Sequence, residues 1–115
     1  MTMKHAFLIM AHGSLPLLRV LLSMLDDERN DIFLHIDRKS DMLDGAEPLV
    51  LSKARLFLLE QRVDVRWGNL SQIKAEYVLF EEALKHGPYA YYHLLSGQDL
   101  PIKSQDYIHQ FFEEH

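Results

Sequence analysis

Ala6-Phe7-Leu8-Ile9-Met10-Ala11-His12-Gly13-Ser14-Leu15-Pro16 is the stretch that decides the fold. Six apolar residues in unbroken series, without polar alternation, suit a strand covered on both faces. Such strands belong to parallel sheets. His12-Gly13-Ser14 then reads as a turn. Ser14 can cap a helix, and Pro16 fits its first turn, where a missing N–H leaves nothing unpaired. Leu18, Leu21, Leu22 and Leu25 recur at helical spacing, and the charged residues 26–31 should end that helix.

Outward from this unit the alternation continues. Residues 32–36 (IFLHI) are a second strand candidate ending at Asp37, followed by the polar loop Arg38, Lys39, Ser40, Asp41. Residues 41–54 are ambiguous. Gly45 and Pro48 oppose one long helix but leave room for a short one after Glu47. Residues 56–59 form a third short strand candidate, and residues 63–67 alternate weakly. Asn69 with Gln72 resembles a capping box. Ile73, Tyr77, Phe80 and Leu84 follow at i, i+4, i+7 and i+11 and predict a helix stopped by Gly87 and Pro88. Residues 89–95 (YAYYHLL) are strand-like, Ser96-Gly97-Gln98-Asp99 forms a turn, and Ser104 caps a last helix with Ile108, Phe111 and Phe112 on its apolar face. Strands alternating with helices imply crossover connections and a Rossmann-like, mostly parallel α/β sheet with flanking helices.

Composition narrows the function. The 115 residues are 48% hydrophobic and 25% charged, ordinary for one globular domain and unlike a disordered chain. A net charge of -5 offers no basic face for duplex nucleic acid. The absence of Cys removes disulfides, thiolate zinc sites and Cys nucleophiles. No apolar run approaches the roughly 20 residues of a membrane span. The start leaves no room for a signal peptide or stem, and the pattern stops inside the last helix, as a truncated domain would. These features fit a cytoplasmic setting better than a Golgi lumen.

In an open parallel sheet, ligands bind beyond the carboxyl ends of the strands. Three predicted strands end there in polar groups: His12-Gly13-Ser14, His35 with Asp37, and residues 96–99. Trp67-Gly68-Asn69 opens a helix whose first N–H groups could face an anion. Each piece also has a plainer reading. Ser14 is a helix cap, Asp37 a turn cap, His35 and His93 core histidines, Trp67 a core anchor, Tyr89, Tyr91 and Tyr92 sheet packing, and Glu81, Glu82, Glu113 and Glu114 solvated helix faces. There is no GxGxxG, P-loop, GxSxG or Asp-x-Asp. His12, His35 and His93 do not have a diagnostic metal spacing.

Taken in order, FLIMAH, DDERNDIFLHIDRKS, VRWGNLSQIKAE and YYHLLSGQDLPIKS resemble the amino-terminal part of the core-2 and I-branching N-acetylglucosaminyltransferases, glycosyltransferase family 14. The resemblance runs from about residue 6 to residue 112. It implies the nucleotide-binding half of a GT-A-type fold. It also implies inverting, metal-independent transfer of N-acetylglucosamine, xylose or a similar sugar from a UDP-sugar donor to a glycan or polysaccharide acceptor. By the same resemblance Asp37 and Arg38 lie at the donor, Asp37 on the uridine, and Met10, Ala11 and His12 line the uracil pocket. Trp67, Gly68 and Ser71, with Ser96, Gly97, Gln98 and Asp99, lie near the donor. Asn69 stands where many relatives have a second Gly. The catalytic base and the main diphosphate-binding residues belong to a carboxyl-terminal half beyond residue 115, so this chain alone is expected to be inactive. A bacterial enzyme of surface polysaccharide synthesis, peripheral to the membrane at most, is the expected setting. Self-association is expected through apolar surface that the other half would cover.

Two readings of other classes compete. A strand followed by AHGS also resembles small chelatases and phosphocarrier domains, in which His12 would bind metal or carry phosphate. Neither family calls for HIDRKS, WGNLSQI or SGQDLPIKS. A non-catalytic interaction domain would bind no nucleotide at all.

Overall fold

The computed structural model describes residues 4–66 and 70–96. Among them the order of elements is β1 (His5–Ala11), α1 (Leu15–Leu25), β2 (Asn30–Ile36), β3 (Arg55–Leu58), α2 (Leu70–His86) and β4 (Tyr91–Ser96). The described strands form one four-stranded sheet in the order β3-β2-β1-β4, and every pairing is parallel. The protein is a Rossmann-like α/β fold, as the alternation of elements predicts.

All seven residues of β1 and all seven of β2 are buried. Alternate side chains feed two separate cores. Phe7, Ile9 and Ala11 of β1 meet Leu18, Leu21, Leu22 and Leu25 of α1 on one face. Ala6, Leu8 and Met10 meet Ala75, Val78, Leu79 and Ala83 of α2 on the other. Each fully buried leucine contributes about 1.5–3 kcal/mol relative to exposure. Ser14 caps α1 by accepting the N–H of Leu17 at 3.2 Å, and Pro16 lies in the first turn. The carboxylate of Asp26, the residue after α1, accepts the N–H groups of Ser52, Lys53 and Ala54 at 2.8–2.9 Å. That contact fastens the approach to β3 onto the helix end.

Three readings of the sequence need correction. Residues 41–54 hold turns at 42–45 and no helix, because Gly45 takes φ +69 and the segment is pinned by Asp26 instead. The third strand begins and ends one residue early, at Arg55–Leu58. The helical period in α2 is right, but its buried face is not the one expected. Ile73, Tyr77, Phe80 and Leu84 are 37–67% exposed, whereas Ala75 and Ala83 are fully buried. Small side chains let the helix axis approach the sheet, so the large residues point away. The helix expected from Ser104 lies outside the described residues, as does the Asn69 cap. No described helix is long and apolar enough to cross a membrane.

A charge cluster closes the amino-terminal end of the sheet. The fully buried carboxylate of Asp31 accepts from Arg55 at 2.6 and 3.2 Å, from Lys4 at 3.2 Å and from the Tyr89 hydroxyl at 2.6 Å. Burial raises its pKa, but the bonds from Arg55, Tyr89 and Lys4 together outweigh that and hold it below the usual value. A depressed native pKa stabilises the fold fully above the unfolded value and is lost as pH falls through the native one.

Two outcomes follow for urea unfolding. Leu79→Ala should cost about 2–5 kcal/mol, while Ile73→Ser on the exposed stripe should stay within about 0.5 kcal/mol. Asp31→Asn should cost about 1.5–3 kcal/mol at neutral pH and should remove part of the acid destabilisation expected of the parent below about pH 4.

Candidate functional site

The carboxyl ends of β1 and β2 lie side by side, since Ala11 pairs with Ile36. The N–H of Asp37 continues the ladder by donating to the Ala11 carbonyl at 2.9 Å. Both strands then turn away, one at His12-Gly13 and the other at residues 37–40. Gly13 takes φ +98, a conformation that side-chain-bearing residues rarely adopt. Between the turns is a pocket of about 420 Å³ lined by His12, Gly13, Asp37, Lys39, Ser40 and Val65. A larger pocket of about 490 Å³ runs along β3 against α2. Neither His12 nor Asp37 lines it, so the pocket at the strand ends is the stronger candidate for chemistry.

Residues 59–66 cross the carboxyl end of β2 and complete the site. Leu59 donates its N–H to the Leu34 carbonyl, and Arg38 donates its N–H to the Val63 carbonyl. The Arg62 guanidinium donates to the carbonyls of Ile36, Asp37 and Ser40 at 2.7–3.0 Å. Val63 and Val65 turn inward to the core, while Asp64 and Arg66 turn outward, so the weak alternation of this stretch is real although it forms no strand. At its end, Arg66 donates its N–H to the Ser71 hydroxyl at 2.8 Å, tying the segment to the first turn of α2.

Asp37 is nearly buried, and its carboxylate is held from several sides. Oδ1 accepts the N–H of Lys39 at 3.0 Å and the N–H of Val65 at 3.4 Å, and the Lys39 ammonium approaches both oxygens at 3.0–3.1 Å. Burial alone would raise its pKa. The two Lys39 bonds and the Val65 N–H together reverse that, and the carboxyl titrates below its usual range.

His35 is fully buried one turn of the pleat earlier. Its Nε2 accepts the Val63 N–H at 2.8 Å, which places the proton on Nδ1. Nδ1 is the buried side-chain atom without a hydrogen-bond partner among the described residues. Burial pushes the His35 pKa down, more than the nearby Asp37 charge raises it. The ring is therefore the core histidine of the plainer reading, with one nitrogen bonded and one not.

The sequence-predicted site residues are distributed as follows. His12 and Asp37 come together at the pocket. Met10 and Ala11 are buried in the two cores, and Ala11 serves the site through its carbonyl. Arg38 is largely exposed, 4.0 Å from Asp64, and does not line the pocket. Ser71 closes the loop onto α2, and Ser96 ends β4 opposite Met10. Trp67, Gly68, Gly97, Gln98 and Asp99 lie outside the described residues. Sequence reasoning missed Asp64, Val65, Arg62 and Arg66 as parts of this site, and it placed Lys39 only in a polar loop. No group of three metal-ligating side chains is brought together among the described residues.

His35→Leu should cost about 1–3 kcal/mol, because the buried Val63 N–H loses its acceptor. The native His35 pKa lies below 6.5, so its contribution to stability is complete above that value and fades as pH falls beneath it. Urea midpoints measured across that range should slope with pH in the parent and slope less in His35→Leu.

The family model described as Core-2/I-Branching enzyme matches residues 5–115. No curated protein matches the chain.

Proposed function

The chain belongs to the Core-2/I-Branching enzyme family, which makes it a glycosyltransferase sequence with a sugar donor and a glycan acceptor, and from that premise we propose that its pocket holds the nucleoside of a UDP-sugar. The observation that carries this reading is the ionised, nearly buried Asp37 at the carboxyl end of β2, facing His12-Gly13 across a pocket of about 420 Å³. A fixed carboxylate is an acceptor only, and it suits the N–H of uracil or a ribose hydroxyl. His12 and Gly13 form the opposite wall.

Transfer with inversion needs a base to take the proton of the acceptor hydroxyl while the diphosphate leaves from the opposite side. We assign no described residue to that base. We propose that the reaction is metal-independent. The sequence offers no Asp-x-Asp clamp, so cationic side chains would stabilise the leaving diphosphate. Arg38 and Arg66 stand exposed beside Asp64 at the rim and can take part. The transferred sugar is N-acetylglucosamine or a close relative, and the setting is a bacterial cytoplasmic enzyme of polysaccharide synthesis. Family membership sets aside the chelatase and phosphocarrier readings.

The test is a titration of the isotope-labelled chain with UDP, UDP-N-acetylglucosamine and ADP, with and without magnesium, followed by backbone amide shifts. Uridine-selective shifts at Gly13, Asp37, Lys39, Ser40 and Val65, unchanged by magnesium, are the expected result. Asp37→Ala should weaken UDP binding about tenfold or more, the value of a hydrogen bond to a charged group. Equal response to ADP, or shifts confined to the β3–α2 pocket, would overturn the assignment.

A further inference from the structure

Lys39 lies two residues beyond Asp37, on the turn that carries Ser40. Its ammonium is 3.0 and 3.1 Å from the two Asp37 oxygens, 2.6 Å from Asp64 Oδ1 and 2.6 Å from the Val65 carbonyl. Three ammonium protons are thus shared among acceptors from two segments of chain. A surface lysine in a single ion pair contributes little. This one joins a carboxylate whose side chain is only 9% exposed to a loop that forms the pocket wall.

The two oxygens of Asp37 are not equivalent. Oδ1 receives two backbone N–H groups and the ammonium. Oδ2 receives the ammonium alone among the described residues. One oxygen is saturated within the protein, and the other keeps acceptor capacity. Lys39 in turn is held on its far side by Asp64, whose other oxygen faces Arg66 at 3.6 Å and Arg38 at 4.0 Å.

We propose that Lys39 is a positioning residue for the pocket: anchored by Asp64 and the Val65 carbonyl, its ammonium clamps Asp37 so that Oδ2 is the oxygen offered to the nucleoside. This rests on the donor-site reading above. The clamp also explains how a carboxylate can be removed from water at a strand end and still be charged. The Lys39 ammonium is the main influence lowering the Asp64 pKa, and Asp64 in return is the main influence raising that of Lys39. Among the described residues, the other titratable or charged groups around Asp37 are His35 on its own strand, His12 across the pocket, Arg62 on its carbonyl, and Arg38 and Arg66 beyond Asp64.

The experiment compares the parent chain with Lys39→Met, Lys39→Arg and Asp64→Asn. The Asp37 side-chain carboxyl is followed by carbon NMR against pH without ligand, and UDP-N-acetylglucosamine, whose diphosphate does not titrate in this range, is the probe for affinity from about pH 4 to about pH 7. Lys39→Met should raise the Asp37 midpoint by about one unit or more. Its affinity should fall several-fold at neutral pH and fall further below about pH 5, while the parent changes less. Lys39→Arg should restore the parent profile, and Asp64→Asn should give an intermediate midpoint. An unmoved Asp37 midpoint in Lys39→Met overturns the proposal. If affinity then falls by the same factor at every pH, Lys39 acts on the ligand as a plain charge. A parent that binds no uridine nucleotide defeats the donor reading instead, and the ligand-free Asp37 titration still decides whether the clamp exists. An unchanged amide spectrum away from residues 37–40 and 59–66 shows that each variant folds.

Discussion

The burial of β1 on both faces and along both edges is the constraint from which the rest of the architecture follows. Its backbone is paired with β2 on one side and with β4 on the other, so both edges of the strand are engaged in the sheet. Its side chains alternate between two cores that share no residue. Parallel neighbours on both sides require crossovers, and α1 and α2 supply them on opposite faces. The chain order therefore reverses beside β1, between β2 and β4. Loops leaving the sheet diverge at such a point, and a crevice opens at the carboxyl ends of the strands. The pocket at His12 and Asp37 is a consequence of where the chain turns back.

The same strand, β2 with its flanking residue, carries an aspartate at each end, and the two are held in different ways. Asp31 at the amino end is fully buried and receives bonds from Arg55, Lys4 and Tyr89, drawn from β3, the chain before β1, and the approach to β4. That carboxylate fastens the edges of the sheet together. Asp37 at the carboxyl end is also desolvated and also ionised, but its supporting groups gather on one oxygen. A carboxylate saturated on all sides can only hold a fold together. One held from one side is available to a ligand.

How much of this could be read in the sequence depended on the range of the interaction concerned. The strands were legible because buried parallel strands need continuous apolar runs, and AFLIMA and IFLHI are such runs. The end of α2 was legible because Gly87 and Pro88 stop a helix locally. Its buried face was not, because Ile73, Tyr77, Phe80 and Leu84 form the larger apolar stripe, while the sheet selects the small Ala75 and Ala83 for close approach. His12 and Asp37 were legible as strand-end polar groups. Asp64 and Val65 were not, because their link to Lys39 spans 25 and 26 residues and leaves no mark in local spacing. The alternation of residues 63–66 was visible, but only the fold shows that it turns two valines inward and an aspartate towards Lys39.

The chemistry of the pocket is therefore divided between two kinds of sequence. The wall at His12-Gly13 is local: a strand ends, and a glycine in the left-handed region turns the chain. The wall at Asp37 depends on a segment that must first be folded back over β2 by Arg62, whose guanidinium binds three carbonyls of the turn, and by the Val63 N–H on His35. Only when that segment is seated does the Val65 N–H reach Asp37 and the Val65 carbonyl reach Lys39. The charge state of the acceptor carboxylate and the shape of the pocket wall are set by the same contact. The site is assembled as a unit, and His35, Arg62 and Lys39 are successive supports of one carboxylate.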